Sequence, residues 1–121
     1  MRRNDIERLE RCGVGYSDGV KKFMDEAELY EKLLVDFLTD NTFEESRADM
    51  AAGDLGAAQK AVHAMKSVTG TLCMYKLYRY CARVVDELRA GLREQAEDDM
   101  DTAYSLYRDI CSAIRAVLVN E

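Results

Sequence analysis

The chain carries a single histidine, His63, and the residues on its side of a helix are the ones whose types could do chemistry. At about 100° per residue, Gln59, His63, Lys66, Ser67 and Gly70 fall on one strip, at helical spacings of three, four and seven. The neighbouring apolar set, Leu55, Ala58, Val62, Met65, Thr69 and Leu72, centres near Val62 and Met65. His63 lies roughly 130° from that centre. The spacing predicts an imidazole in mid-helix facing water, with a lysine one turn on and small residues beside it. An exposed imidazole, with a reference pKa of about 6.5, is mostly neutral at neutral pH and offers a free lone pair. It is suited to accept a phosphoryl group whose oxygens Lys66 could neutralise. Ser67 and Gly70 would let a partner's loops approach. No acid, base or metal set accompanies the histidine, so a partner would have to supply them. Spacing alone leaves the plain alternative open, because solvated helical faces commonly carry such pairs without any chemistry.

The elements that must position this strip are helices. Proline, which punctuates turns and is excluded from helix interiors, is absent from the 121 residues. A short helix is predicted over residues 4–12, followed by the Gly13-Val14-Gly15 break and a single turn from Ser17. From Asp25 to Asp40, apolar residues including Leu29, Tyr30, Leu33, Leu34, Phe37 and Leu38 recur at three and four, the helical period. Thr42 and Glu45 match a capping box that opens a helix through Met50 and Ala51, stopping at Gly53. Asp54 can cap the histidine helix. A further helix carries Leu77, Cys81, Val84, Val85 and Leu88 and ends near Gly91, and a final one runs from Glu94 to Val119. Short connections between long amphipathic helices predict an all-α fold: an antiparallel up-down four-helix bundle over residues 16–119, with short additional N-terminal structure over 1–15, in one domain spanning 1–121.

The composition narrows the function classes. Apolar residues make up 48% and charged residues 33%, as expected for helices with one solvated face. The longest apolar runs, such as Ala116-Val117-Leu118-Val119, fall far short of the roughly 20 residues of a spanning helix. The start, Met1-Arg2-Arg3-Asn4, has no apolar region behind it, so a secretory signal is not expected and the chain reads as cytoplasmic and free-standing. Cys12, Cys73, Cys81 and Cys111 form no C-x-x-C pair and read as reduced core residues. A net charge of −6 with scattered lysines and arginines argues against a nucleic-acid partner.

The segment Ala61-Val62-His63-Ala64-Met65-Lys66-Ser67-Val68-Thr69-Gly70-Thr71-Leu72 resembles the signature of histidine-containing phosphotransfer (HPt) domains, in which the phosphorylated histidine is followed by x-x-Lys and then Gly or Ser. The order of the surrounding segments is similar as well: Gly19 to Leu38 looks like the family's entry into its first long helix, Ala52-Gly53-Asp54 like the turn before the histidine helix, and Leu77 to Leu88 like the helix after it. The resemblance spans residues 13–119. It implies a phosphorelay protein that accepts a phosphoryl group on the outer ring nitrogen of His63 from a receiver-domain aspartate and passes it to another. Lys66 would contact the phosphate, and Gln59, Ser67, Gly70 and Arg89 would serve receiver docking, with Arg83 the alternative to Arg89. The partners implied are response-regulator receiver domains or a hybrid histidine kinase, with magnesium supplied by the receiver and no cofactor of the chain's own. Three positions depart from the family pattern. Ser67 replaces the commoner glycine, Cys73 stands where a glycine often ends the histidine helix, and Val85 lies near the place of a polar residue that steadies the imidazole. Tyr75, Tyr78 and Tyr80 could join the receiver contact, with at least one of them expected in the core. The rival readings are an adaptor bundle that binds partners without phosphorylation and a metal-dependent bundle enzyme. The second is disfavoured because no Glu-x-x-His pair is present.

Overall fold

The computed structural model describes residues 1–119 and, among them, is all helical, with no strand. The elements are α1 (Arg3–Arg11), α2 (Tyr16–Lys22), α3 (Ala27–Phe37), α4 (Thr42–Ala51), α5 (Leu55–Thr71), α6 (Tyr75–Arg89), α7 (Arg93–Ile114) and a π-helical turn (Arg115–Val119). α5, the histidine helix, packs against α4 on one side and α6 on the other, and α6 packs against α7. No helix among the described residues is long and apolar enough to cross a membrane.

The buried faces follow the helical period. Ala58, Val62, Met65 and Thr69 of α5, Leu77, Cys81, Val84 and Val85 of α6, and Met100, Ala103, Tyr107, Ile110 and Ile114 of α7 share one core with Tyr30, Leu34, Phe37 and Phe43. Phe43 stacks on Tyr107 at 5.0 Å between ring centres. Thr69 belongs to the buried set only because its hydroxyl donates to the Met65 carbonyl at 2.8 Å, so no polar atom is stranded. Leu29, a member of the periodic set in the sequence, is instead exposed. All four cysteines are free: Cys12 is half-buried and the others are buried.

Helix ends account for most differences between expectation and structure. α3 starts at Ala27 because Met24 and Asp25 both adopt positive φ, 60° and 64°. The Asp25 N–H is used to close α2 on the Val20 carbonyl at 2.9 Å. α3 then ends at Phe37, and residues 38–40 continue in a tighter winding with N–H groups bonded three residues back. The capping box does not form. Thr42 is the first helical residue rather than the cap, and the Asp40 carboxylate takes its N–H at 2.9 Å. Asp54, by contrast, caps α5 as expected, accepting from the Ala57 N–H at 3.1 Å. The region expected as a single turn from Ser17 is a two-turn helix, α2. The last helix keeps α geometry only to Ile114 before widening into the π turn.

The end of α5 is decided by Cys73. It adopts φ of 59°, and the following N–H, of Met74, reaches back to the Thr69 carbonyl at 2.9 Å. This is the closure that Gly91 makes at the end of α6, where the Leu92 N–H bonds to Glu87 O at 2.8 Å. The left-handed residue that glycine usually supplies is therefore a buried cysteine, and the helix stops where a glycine would stop it.

Candidate functional site

α5 presents His63 to solvent at mid-helix, eight residues beyond its first residue, Leu55. The imidazole lies on the rim of two depressions. One, about 590 Å³, is shared with Lys22, Lys66, Ser67, Gly70, Tyr75 and Tyr78. The other, about 280 Å³, is shared with Gln59, Lys60 and Arg89. Every residue of the expected strip borders one or both, and Arg89 joins them from the end of α6. The charge pattern is one-sided: Lys22, Lys66, Lys60 and Arg89 line the two depressions and no carboxylate does. In a chain with 23 acidic and 17 basic residues, this is a local reversal of sign.

Lys66 is half-buried, with its Nζ 5.9 Å from the centre of the Tyr78 ring. The aromatic face supports the ammonium beside the histidine without neutralising it. Gly70 borders the depression beside His63 and also makes room for a tyrosine. A Cβ there would meet the Tyr78 ring at 3.1 Å, so the missing side chain is what lets Tyr78 lie against α5. Ser67 is exposed and does leave open surface beside His63. It also borders, with Thr71, an apolar groove of about 350 Å³ between α3 and α5, floored by Leu33, Phe37, Val68 and Leu72 and edged by Asp36 and Asp40.

Other expected contributors fall elsewhere. Arg83 is not part of the site: its guanidinium is 3.3 Å from the Asp99 carboxylate and lies over the Tyr80 ring. Val85 is fully buried in the core. None of Tyr75, Tyr78 and Tyr80 is a core residue. Tyr75 is 46% exposed, its hydroxyl donating to Asp18 at 2.8 Å, and the other two are half-buried.

Sequence reasoning missed Lys22 and Lys60, and it named Tyr78 among three tyrosines without its place beside Lys66. Lys60 is three residues before His63, and helical spacing was signal enough to find it. Lys22 arrives from α2, where its Nζ donates to the Gly70 carbonyl at 3.0 Å, and nothing local in the sequence announces that meeting. Among the described residues, no group of three or more His, Cys, Asp or Glu side chains is placed to hold a metal ion.

Comparison with protein-family models, with curated proteins and with solved structures returned no match.

Proposed function

We propose that this protein is a phosphoryl carrier of a two-component phosphorelay, an HPt protein in which His63 is the phosphorylated residue. The observation that carries the reading is the exposed imidazole on the shared rim of two depressions lined by four cationic side chains and no carboxylate. In the proposed step, a lone pair on the outer ring nitrogen of His63 attacks phosphorus in line. The acyl-phosphate P–O bond of a receiver aspartate breaks, its electron pair returns to the carboxylate, and a P–N bond forms. Lys66 and, across the imidazole, Lys60 and Arg89 offset the charge on the phosphoryl oxygens. The second receiver reverses the step. The magnesium and the positioning groups belong to the receiver, so the protein is a carrier rather than an enzyme.

The apolar groove beside Ser67 suits transient docking of a receiver's active-site face, next to rather than over the nucleophile. In this reading α4, α5, α6 and α7 form the antiparallel up-down four-helix bundle, with α1 to α3 packed on one end, and the protein works in the cytoplasm.

The test is to incubate the folded chain with phosphoramidate, and separately with a magnesium-loaded, phosphorylated receiver. Intact mass should show one added phosphoryl group that is acid-labile and stable in base, and His63→Gln should abolish it. No modification from either donor, in a sample shown to be folded, would overturn the reading in favour of an adaptor.

A further inference from the structure

A second polar recess, about 600 Å³, lies apart from His63. Arg8 of α1, Glu44 of α4, Tyr104, Arg108 and Ser112 of α7, and Arg115 of the π turn line it. None of its lining residues belongs to α5 or α6, so it is independent of the phosphotransfer site proposed above. Three guanidinium groups and a single carboxylate converge on it.

Seven of the arginines lack an ion pair among the described residues, and three of them line this recess. Arg3, Arg47, Arg83 and Arg93 each form an ion pair, whereas Arg8, Arg108 and Arg115 form none among the described residues. Arg108, Ser112 and Arg115 follow one another at helical spacings of four and three, on one face of the last helix. The one nearby carboxylate is engaged: Glu44 Oε1 accepts from the Tyr104 hydroxyl at 3.1 Å. Tyr104 is in turn held by Arg47, 3.7 Å above its ring. That wall of the recess is therefore fixed. Further along the same helix, Arg115 is where α winding changes to π, a change of pitch that occurs frequently at functional sites.

Arginine forks match the paired oxygens of carboxylates and phosphates alike, and three guanidinium groups around one recess suit the nearly doubly charged phosphate better than a singly charged carboxylate. The recess falls in the size range of small-molecule sites, and is larger than a phosphate ion requires. Ser112 and the remaining oxygen of Glu44 offer a donor and an acceptor for hydroxyl groups. From these features, the structure assigns to this recess the binding of a small hydroxylated phosphate monoester of the sugar-phosphate class.

The experiment titrates the full 121-residue chain, isotopically labelled, with ribose 5-phosphate, inorganic phosphate, ribose and sodium chloride at matched ionic strength. Ribose 5-phosphate should give saturable amide shifts centred on residues 104–116 and around Arg8, and should bind more tightly than inorganic phosphate. Arg108→Gln, checked for folding by circular dichroism, should weaken binding about tenfold, the loss of one charge-assisted hydrogen bond. Arg115→Gln provides the same test if the first variant is unfolded. Arg89→Gln, on the His63 face, should leave the binding unchanged. Four results would overturn the assignment: shifts reproduced by sodium chloride, shifts centred on residues 59–70, equal affinity for inorganic phosphate, or a response to a DNA oligonucleotide or anionic vesicle but not to ribose 5-phosphate.

Discussion

Lys66 and Arg89 reach His63 from different depressions, and their surroundings predict unequal roles. Lys66 sits one turn along the same helix, supported by the Tyr78 ring, so its ammonium is held near any phosphoryl group on the imidazole. Arg89 is exposed at the last residue of α6 and has more freedom to leave. Lys66→Ala should slow phosphorylation of His63 by phosphoramidate about tenfold, the effect of removing one charge-assisted contact in the transition state. Arg89→Ala should slow it only about two- to threefold, as expected of an exposed charge. Both variants should unfold within about 0.5 kcal/mol of the parent, since neither truncation opens the core. Equal rate losses would mean that the helix-borne lysine has no special place. At this scale the strip from Gln59 to Gly70 was legible because one helix presents it and helical period is a local property. Lys22 was not, and Tyr78 was named only as one of three tyrosines, because their places depend on how α2 and α6 pack. The fit of Gly70 against Tyr78 was hidden for the same reason: the atoms that need the space belong to another helix.

Helix existence was readable from periodicity, whereas helix ends were not, because they depend on which N–H closes on which carbonyl. The α2–α3 turn shows this. Met24 occupies a left-handed conformation at φ of 60° with 84% of its surface exposed. A non-glycine residue loses about 1–2 kcal/mol there, and this side chain recovers almost nothing by burial. Met24→Gly should therefore raise stability by about 1 kcal/mol in urea denaturation, after allowing for the greater freedom of glycine in the unfolded chain. A destabilised variant would show that Met24 makes a contact worth more than its strain. The α6–α7 contact yields a pH dependence. Glu87 is half-buried with Oε1 lacking any donor, and burial, followed by the neighbouring Asp99 carboxylate, pushes its pKa from 4.5 to about 7. Between those values the folded state holds a proton that the unfolded state has lost, so this group makes stability fall as pH rises from about 4.5 to 7. Glu87→Gln should flatten that part of the profile and gain about 1 kcal/mol at pH 8, a figure reduced for partial screening by solvent. Thermal melts of both proteins from pH 5 to 8 would show it, and parallel profiles would mean that Glu87 titrates normally.

In the whole molecule, α1 and α2 are tied to the corner where α5 turns into α6. Val14 bridges to Met74, the Gly15 N–H donates to the Cys73 carbonyl at 2.9 Å, Lys22 reaches Gly70, and Tyr75 reaches Asp18. Tyr30 joins from α3, its buried hydroxyl donating to the Leu72 carbonyl at 2.7 Å. The fit depends on Gly19, because a Cβ there would lie only 2.1 Å from the Tyr30 ring. The sequence marked Gly13-Val14-Gly15 as a break but gave no sign that the break is a docking point, since its partners Met74 and Cys73 lie 60 and 58 residues further along the chain. The larger contacts run α4 to α5, α5 to α6 and α6 to α7, so the N-terminal segment can come loose at lower cost than the helices that carry His63. Gly19→Ala should cost about 1–2 kcal/mol, overpacking against Tyr30 partly offset by the better helix propensity of alanine. The damage should also be local. In hydrogen exchange, amides of α1 and α2 should lose protection while those around Cys81 to Val85 keep theirs. His63 should still accept a phosphoryl group, because Lys66, Lys60 and Arg89 come from α5 and α6. Loss of protection throughout the chain would contradict this division and make the N-terminal helices part of the same cooperative unit as the helices that carry His63.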